Sequence, residues 1–462
     1  MKITVLNGSP KGDQSVTMQY VYFLQKKFPQ HEFKILNITH RINKLEKDEQ
    51  AFQEVIAEVA ASDGVLWGFP LYVMLVAAGY KRFIELIWER QAQEAFKDKY
   101  AAIIATSIHF YDHTALSYVH GICDDLNMKY VDAFSAEMLD LTREPQRQKF
   151  LVFAENYFEA IEHARPTFKT HLPVNARSFA YTPGSSQTCI NAGNKKIVIV
   201  ADIEAEESNL AKMVARVQQA FSGKAEIHNL RQLDVKGGCL GCIQCGYDNT
   251  CVWEGKDAYI DFYRTSVQTA DILIFAGTIH DRYLSSRWKM FFDRSFFNGH
   301  VPTLRGKQIG WILSGPLSQL ANLRQILEAY AELQPANLVD IVSDECADSS
   351  QIDARLEALA ANLVRLTEKQ YVMPTTYLGV GGSKIFRDGI WGRMRIVFQA
   401  DYKYYKAHGA FDDFPQKDYA GRLFAPIMTV LLKIPAFRKR FYTREMIPGM
   451  LRPYKKVLEQ TS

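Results

Sequence analysis

Short apolar runs alternate with amphipathic stretches along most of the chain. In the first third the runs fall at 2–6, 33–37, 64–68, 101–106 and 129–133. Those at 64–68 and 101–106 are apolar almost throughout, as a strand buried on both faces requires. Between them, segments near 14–28, 46–61, 75–92, 114–127 and 147–163 carry apolar residues at helical spacing. Strands alternating with helices imply parallel crossovers, so the pattern predicts a doubly wound α/β sheet.

The pattern then repeats. KITVL at 2–6 has a counterpart in KKIVIV at 195–200. Asp63-Gly64-Val65-Leu66-Trp67-Gly68 matches Asp271-Ile272-Leu273-Ile274-Phe275-Ala276, 208 residues later. The same offset carries Lys81-Arg82-Phe83-Ile84-Glu85 onto Lys289-Met290-Phe291-Phe292-Asp293, and Lys99–Ile104 onto Lys307–Ile312. We therefore expect one α/β domain over 1–165, a linker over 166–193 and a second α/β domain over 194–369, the two pairing as an internal pseudo-dimer. Beyond residue 370 the alternation stops. Residues 370–462 are aromatic, basic and punctuated by glycine, and include the apolar stretch LFAPIMTVLLKIPAF. They read as a helical C-terminal extension.

Composition changes this picture little. At 462 residues, 47% apolar and 23% charged, the chain is globular and too long for a single core. Charge is more informative. Residues 371–462 hold 16 Lys+Arg against 7 Asp+Glu, whereas the rest holds 39 against 44. A basic extension has three readings: a face packed over the domains, a membrane-surface contact, or a dock for an acidic partner. Nucleic acid is not expected as a partner. No signal segment and no apolar run of membrane-spanning length is visible, so a cytoplasmic location is expected.

Candidate chemistry clusters where the strands end. Asn7-Gly8-Ser9-Pro10-Lys11-Gly12-Asp13-Gln14-Ser15-Val16-Thr17 joins the first strand to the first helix. Backbone N–H groups at a helix start, together with the Ser9, Ser15 and Thr17 hydroxyls, suit a phosphate. The third strand ends in Pro70-Leu71-Tyr72, and the fourth in Thr106-Ser107-Ile108-His109-Phe110-Tyr111-Asp112-His113. Both would reach the crevice beyond the carboxyl ends of the strands, where ligands bind in open α/β sheets. His109, Tyr111 and His113 are the candidate catalytic residues, with a ligand contact or a proton relay as their open roles. In the second half, the phosphate-loop position holds Asp202, Glu204, Glu206 and Glu207, whose charge would repel a phosphate. In exchange that half has gained a loop with Cys239, Cys242, Cys245 and Cys251 in thirteen residues. Four thiolates suit a 4Fe–4S cluster or zinc, and free or disulfide-bonded cysteines remain alternatives. Gly237, Gly238, Gly241 and Gly246 let the backbone wrap closely there.

The loop at 7–17, with the segments at 68–72 and 106–114, resembles the NAD(P)H-dependent FMN oxidoreductases of flavodoxin-like fold. The cysteine spacing resembles that of the iron–sulfur flavoproteins. The resemblance implies two tandem flavodoxin-like domains, a tandem duplication. It implies FMN held by Asn7, Gly8, Ser9, Pro10, Ser15, Val16 and Thr17 at the phosphate, and by Pro70, Leu71, Tyr72, Thr106, Ser107 and His109 at the ring. It implies a 4Fe–4S cluster on the four cysteines, NAD(P)H or a reduced carrier as electron donor, and a small molecule or redox protein as acceptor, with a homodimer possible. The family keeps loop and cysteines in one domain; here they lie in different halves. Two other functions fit the same residues: a non-catalytic electron carrier or redox sensor, and a cluster-free FMN quinone or nitro reductase.

Overall fold

The computed structural model describes residues 1–185 and 189–459. Positions 186–188 of the expected linker and 460–462 of the expected extension lie outside the described residues. The chain forms two parallel five-stranded sheets flanked by helices. The first contains β1 (Lys2–Asn7), β2 (Glu32–Asn37), β3 (Gly64–Pro70), β4 (Tyr100–Ser107) and β5 (Lys129–Glu137), in the order β2-β1-β3-β4-β5. Its helices are α1 (Val16–Lys27), α2 (Ile42–Lys47), α3 (Glu49–Ala60), α4 (Ala78–Glu89), α5 (Asp112–Asp125) and α6 (Glu144–Glu162). The central strands β1, β3 and β4 are buried almost throughout, whereas the edge strand β2 alternates.

The second sheet contains β6 (Ile197–Ala201), β7 (Glu226–Asn229), β8 (Ile272–Thr278), β9 (Gln308–Ser314) and β10 (Asn337–Ser343). Its order, β10-β9-β8-β6-β7, is that of the first sheet. The helices here are α7 (Asn209–Ala220), the short α8 (Tyr259–Phe262), α9 (Ser286–Ser295), α10 (Ala321–Leu333) and α11 (Ser349–Glu368). The helix expected over 46–61 is two helices, because the Asp48 side chain caps α3 by accepting from Ala51 N at 3.1 Å.

α4 packs against α9, and this contact joins the halves. Ala78 N, at the start of α4, donates to Asp293 Oδ2 at 2.8 Å, and Ser286 N, at the start of α9, donates to Glu85 Oε1 at 2.6 Å. The second pair is the first shifted by 208 residues with the roles exchanged, which is the pattern of an isologous contact about a two-fold axis. Each helix thus has its free N-terminal N–H satisfied, and its dipole complemented, by a carboxylate from the other. Behind these caps lie two fully buried lysines. Lys81 Nζ sits 2.7 Å from Glu85 and 3.0 Å from Asp281, and Lys289 pairs with Asp293. Burial disfavours charge on the latter pair, pushing Lys289 down and Asp293 up.

Glu85 yields a pH prediction. Burial raises its pKa, but the Lys81 ammonium and the Ser286 donors outweigh this and hold it down to about 2. A group depressed in the folded state stabilises fully above its unfolded pKa, and that stabilisation is lost as pH falls toward the folded value. Glu85 should therefore account for about 3 kcal/mol lost between about pH 4.5 and 2. Urea unfolding at a series of pH values checks this: the acid slope should flatten in Glu85→Gln and stay steep in Glu94→Gln, an exposed control.

The segment between the sheets is tied down by side chains. Asp124 Oδ2 accepts from Thr170 N, His171 N and His171 Nδ1. With His120 these residues bring three ligand atoms within 4.8 Å. Burial, with the neighbouring His171 and Arg282 and against the pull of Asp124, pushes His120 down to about 4, so its imidazole is neutral at pH 7.

The chain divides into two compact units, Met1–Asp401 and Tyr402–Ser462. α12 (Tyr377–Trp391) lies in the first, where Glu332 of α10 accepts from Thr376 N, Thr376 Oγ1 and Gly379 N at 2.7–2.8 Å. α13 (Gln399–Ala407) runs across the division. The second unit holds α14 (Tyr419–Leu431), α15 (Pro435–Arg440) and α16 (Met446–Glu459).

Candidate functional site

The loop after β1 is built by its own side chains. Asn7 is fully buried, its Nδ2 donating to Asn37 Oδ1 at 2.7 Å and its Oδ1 accepting from Ser9 N at 3.0 Å. Ser9 Oγ accepts from Lys11 N at 3.2 Å, and Gly8 N donates to Gly68 O of β3 at 2.7 Å. Gly8 has no room for a side chain: a Cβ there would lie 2.8 Å from Tyr80 Cδ1 and 2.9 Å from Phe69 Cβ. Ser15 caps α1 by accepting from Met18 N, and the Thr17 hydroxyl pairs with that of Thr106 at 2.7 Å. These two hydroxyls fix the loop onto α1 and β4. Backbone N–H groups at the start of α1 are what the loop offers an anion.

Beside it, β3 runs out through Pro70 into a tight turn. Leu71 N donates to Thr106 O at 3.0 Å, and Tyr72 and Leu75 exchange backbone bonds at 2.8 and 2.9 Å. Val73 and Met74 take positive φ values of 31° and 64° to close this turn. It delays α4 to Ala78, three residues beyond the expected start.

The three catalytic candidates diverge. His109 stays at the sheet edge, half-exposed and at φ 61°, with Nδ1 2.9 Å from Asp112 Oδ2. Ser135 of β5 donates to the same oxygen at 2.5 Å. Burial raises the pKa of Asp112, but the Ser135 and His109 hydrogen bonds bring it below the ordinary carboxylate value. Tyr111 turns inward, and its hydroxyl donates to Leu378 O of α12. His113 Nε2 lies 3.0 Å from Gln325 Oε1 of α10, in the other half. Ser135 is a residue of the candidate site that motif reading passed over. Asp112 sits inside the quoted motif, but its partner Ser135 is on another strand.

The four cysteines sit in the long connection between β7 and α8. They are free thiols: Cys242 is exposed, Cys239 and Cys251 are half-buried, and Cys245 is buried with Sγ 3.6 Å from Phe296 O. Gly241 and Ile243 adopt φ of 63° and 61°, which turns the chain sharply between the thiols. All four cysteines line one cavity, together with Trp253, Phe296 and Arg294. Arg294 holds the loop in place: it donates to Gly237 O at 2.8 Å, grips Asp257 with two bonds of 2.7 and 2.9 Å, and stacks over Trp253. Burial pushes the Cys239 and Cys245 thiols up to about 12. Two buried donors at this cavity, Trp253 Nε1 and Arg294 Nε, have no partner among the described residues. Four thiols around one cavity with N–H donors to spare form a donor set that fits a metal–sulfur centre, since coordination acidifies the thiols and sulfur accepts the free donors.

The cysteine loop reaches across to the first half. A Cβ on Gly241 would lie 2.0 Å from the Tyr72 hydroxyl oxygen and 3.3 Å from Lys11 Cε. The second half therefore lays its cysteine loop against Tyr72 and Lys11 of the first half. Tyr72 is covered by this contact. Burial, then the neighbouring Cys239, pushes its phenol far above the ordinary value.

At the equivalent edge of the second sheet the arrangement differs. Asp202 is held by Arg231 at 2.7 Å and by the Ser285 hydroxyl at 2.5 Å. Asp344 accepts from Ser314, Gly315 N and Asn209 at 2.8–2.9 Å. Linker residues 175–179 line the cavity there.

No curated protein matches the chain. Among solved structures it is similar to FerB, a flavoenzyme NAD(P)H:(acceptor) oxidoreductase from Paracoccus denitrificans, at 21% identity over 35% of this chain and 97% of that one, with a TM-score of 0.31. It is also similar to an NADH:FMN oxidoreductase in its apo form, at 16% identity over 35% of this chain and 87% of that one, with a TM-score of 0.29. A third is the general stress protein 14 of Treponema denticola in complex with FMN, at 16% identity over 36% and 99% of the two chains, with a TM-score of 0.27. The family model of the flavodoxin-like fold matches residues 1–159, the part of the chain that carries the Asn7–Thr17 loop.

Proposed function

We propose that the chain is an FMN-dependent oxidoreductase that takes electrons from NAD(P)H or a reduced carrier and delivers them through a 4Fe–4S cluster on Cys239, Cys242, Cys245 and Cys251. The observation that carries this reading is the seating of Gly241 on Tyr72 and Lys11, which puts the cysteine loop over the expected flavin segments. The flavodoxin-like match over 1–159 supports FMN on the first half.

In this reading the N–H groups of the Gly8–Thr17 loop hold the phosphate, while Pro70–Tyr72 and Thr106–Ser107 present backbone groups to the ring edge. Bound there, a flavin converts hydride transfer into single-electron transfer, and a 4Fe–4S cluster carries single electrons. Tyr72 shields the space between the two segments from water. His109, with Nδ1 tied to Asp112, keeps Nε2 available to give or take a proton at the exposed edge. The matching strand orders and the exchanged caps at α4 and α9 support a tandem duplication, whose internal pairing stands where a second subunit would.

Steady-state oxidation of NADH and NADPH by the purified FMN-loaded protein, with ferricyanide as acceptor, tests the activity. Turnover supports the enzyme. Reduction by dithionite without any NAD(P)H turnover would instead mark an electron carrier. The loop makes a separate prediction. Gly8→Ala drives a methyl into Tyr80 and Phe69, so FMN affinity in a fluorescence titration should fall about tenfold or more, the equivalent of 1.4 kcal/mol.

A further inference from the structure

The second compact unit carries an apolar surface that its own fold leaves uncovered. α14 presents Leu423, Phe424, Ile427, Val430 and Leu431 at helical spacing, and Leu423 is 71% exposed. α16 repeats the device with Ile447, Met450, Leu451, Tyr454, Val457 and Leu458, the last 70% exposed. No residue of α14, of α15 or of the following turn Phe441–Glu445 is buried. Residues 419–459 carry nine Lys+Arg against two Asp+Glu. Arg438, Lys439 and Arg440 lie on α15, between the two apolar stripes. Among the described residues no single helix is long and apolar enough to cross a membrane, and α14 with the stretch Pro435–Glu459 qualifies only as a pair bent by 115°.

We infer that residues 419–459 dock in the plane of a bilayer that bears anionic headgroups. Amphipathic helices with large apolar residues on one face and Lys/Arg on the rest bind such surfaces by burying the apolar face at the headgroup boundary. The sharp bend and the basic α15 between the stripes suit two helices lying flat, with the charge at headgroup level. Tyr419, Tyr442 and Tyr454, all exposed, are of the amphipathic type that settles at that depth. The excess of seven positive charges supplies the complementarity that selects an anionic lipid surface. The inference stands independently of the redox reading, since no residue of the candidate site lies in this unit.

Flotation of the full-length protein with vesicles tests it. Phosphatidylcholine vesicles containing about one-third phosphatidylglycerol should carry the protein upward, and phosphatidylcholine alone should bind it at least about tenfold less. Binding should weaken in about 0.5 M salt, where screening acts within roughly 4 Å. Arg438→Gln/Lys439→Gln/Arg440→Gln should lose about a hundredfold, taking about fivefold per basic residue. Leu423→Asp/Ile427→Asp should abolish binding while leaving the helical far-ultraviolet circular dichroism of the full chain unchanged, which separates a lost surface from a lost fold. Equal binding to neutral and anionic vesicles would overturn the inference. So would no binding to either, or a larger oligomer that the Leu423→Asp/Ile427→Asp variant dissociates, which would assign the apolar face to a second copy of the chain.

Discussion

Lys81→Met is expected to destabilise the protein by about 3–5 kcal/mol, the range for breaking a buried ion pair from one side. Lys81 is fully buried and touches two carboxylates, Glu85 at 2.7 Å and Asp281 at 3.0 Å. Methionine keeps the volume and removes the cation, so the two acids are left facing each other. Both acids also hold other parts of the joint. Glu85 caps α9 through Ser286, and Asp281 accepts from the Tyr118 hydroxyl at 3.0 Å. The loss should therefore loosen the α4–α9 contact as a whole. Urea unfolding of the variant reads the effect directly. Lys97→Met is the control: Lys97 pairs with Glu94, both side chains are exposed, and such a pair contributes about 1 kcal/mol or less. Equal losses in the two variants would mean that the buried charges do not hold the halves together.

Cys242→Ala is expected to remove the iron, from about four atoms per chain to less than about one, and to leave FMN in place. Cys242 is the exposed member of the four, so alanine there disturbs little packing. Cys245 is a poorer choice because its buried sulfur contacts Phe296 O, and its loss would mix packing with ligation. The segments proposed to hold the flavin, Asn7–Thr17 and Pro70–Tyr72, lie in the other half of the chain, which is why the two cofactors should separate in this variant. Iron analysis and flavin absorbance on the same sample check both halves of the prediction. Retained iron with an unchanged spectrum would remove the cysteines from the account.

Much of the α/β framework could be read from the chain because it is local. Runs such as KITVL and GVLWGF are apolar on both faces, and the strands form where those runs lie. The break at Asp48 was hidden because periodicity carries through a cap; only the geometry of an Asp before Glu49 shows it. The repeat already contained the joint, since Lys81 and Glu85 recur as Lys289 and Asp293. A charged pair at helical spacing reads as surface, however, and its burial depends on a helix some 200 residues away. The candidate site shows the same limit. The Asn7 loop and the cysteine spacing were visible as motifs, yet nothing local to either indicates that Gly241 rests on Tyr72. Tyr111 and His113 belong to the motif by position, but their contacts with Leu378 and Gln325 are set by tertiary packing.

A flavin held by the first half and a cluster held by the second are proposed to share a single site. The most direct test is the absorbance of anaerobically purified protein, with iron, acid-labile sulfide and FMN counted per chain. The account predicts about four irons, four sulfides and one FMN, with a broad shoulder near roughly 400 nm that bleaches together with the flavin on reduction. FMN without iron would contradict it and leave a flavin reductase whose cysteine loop is structural.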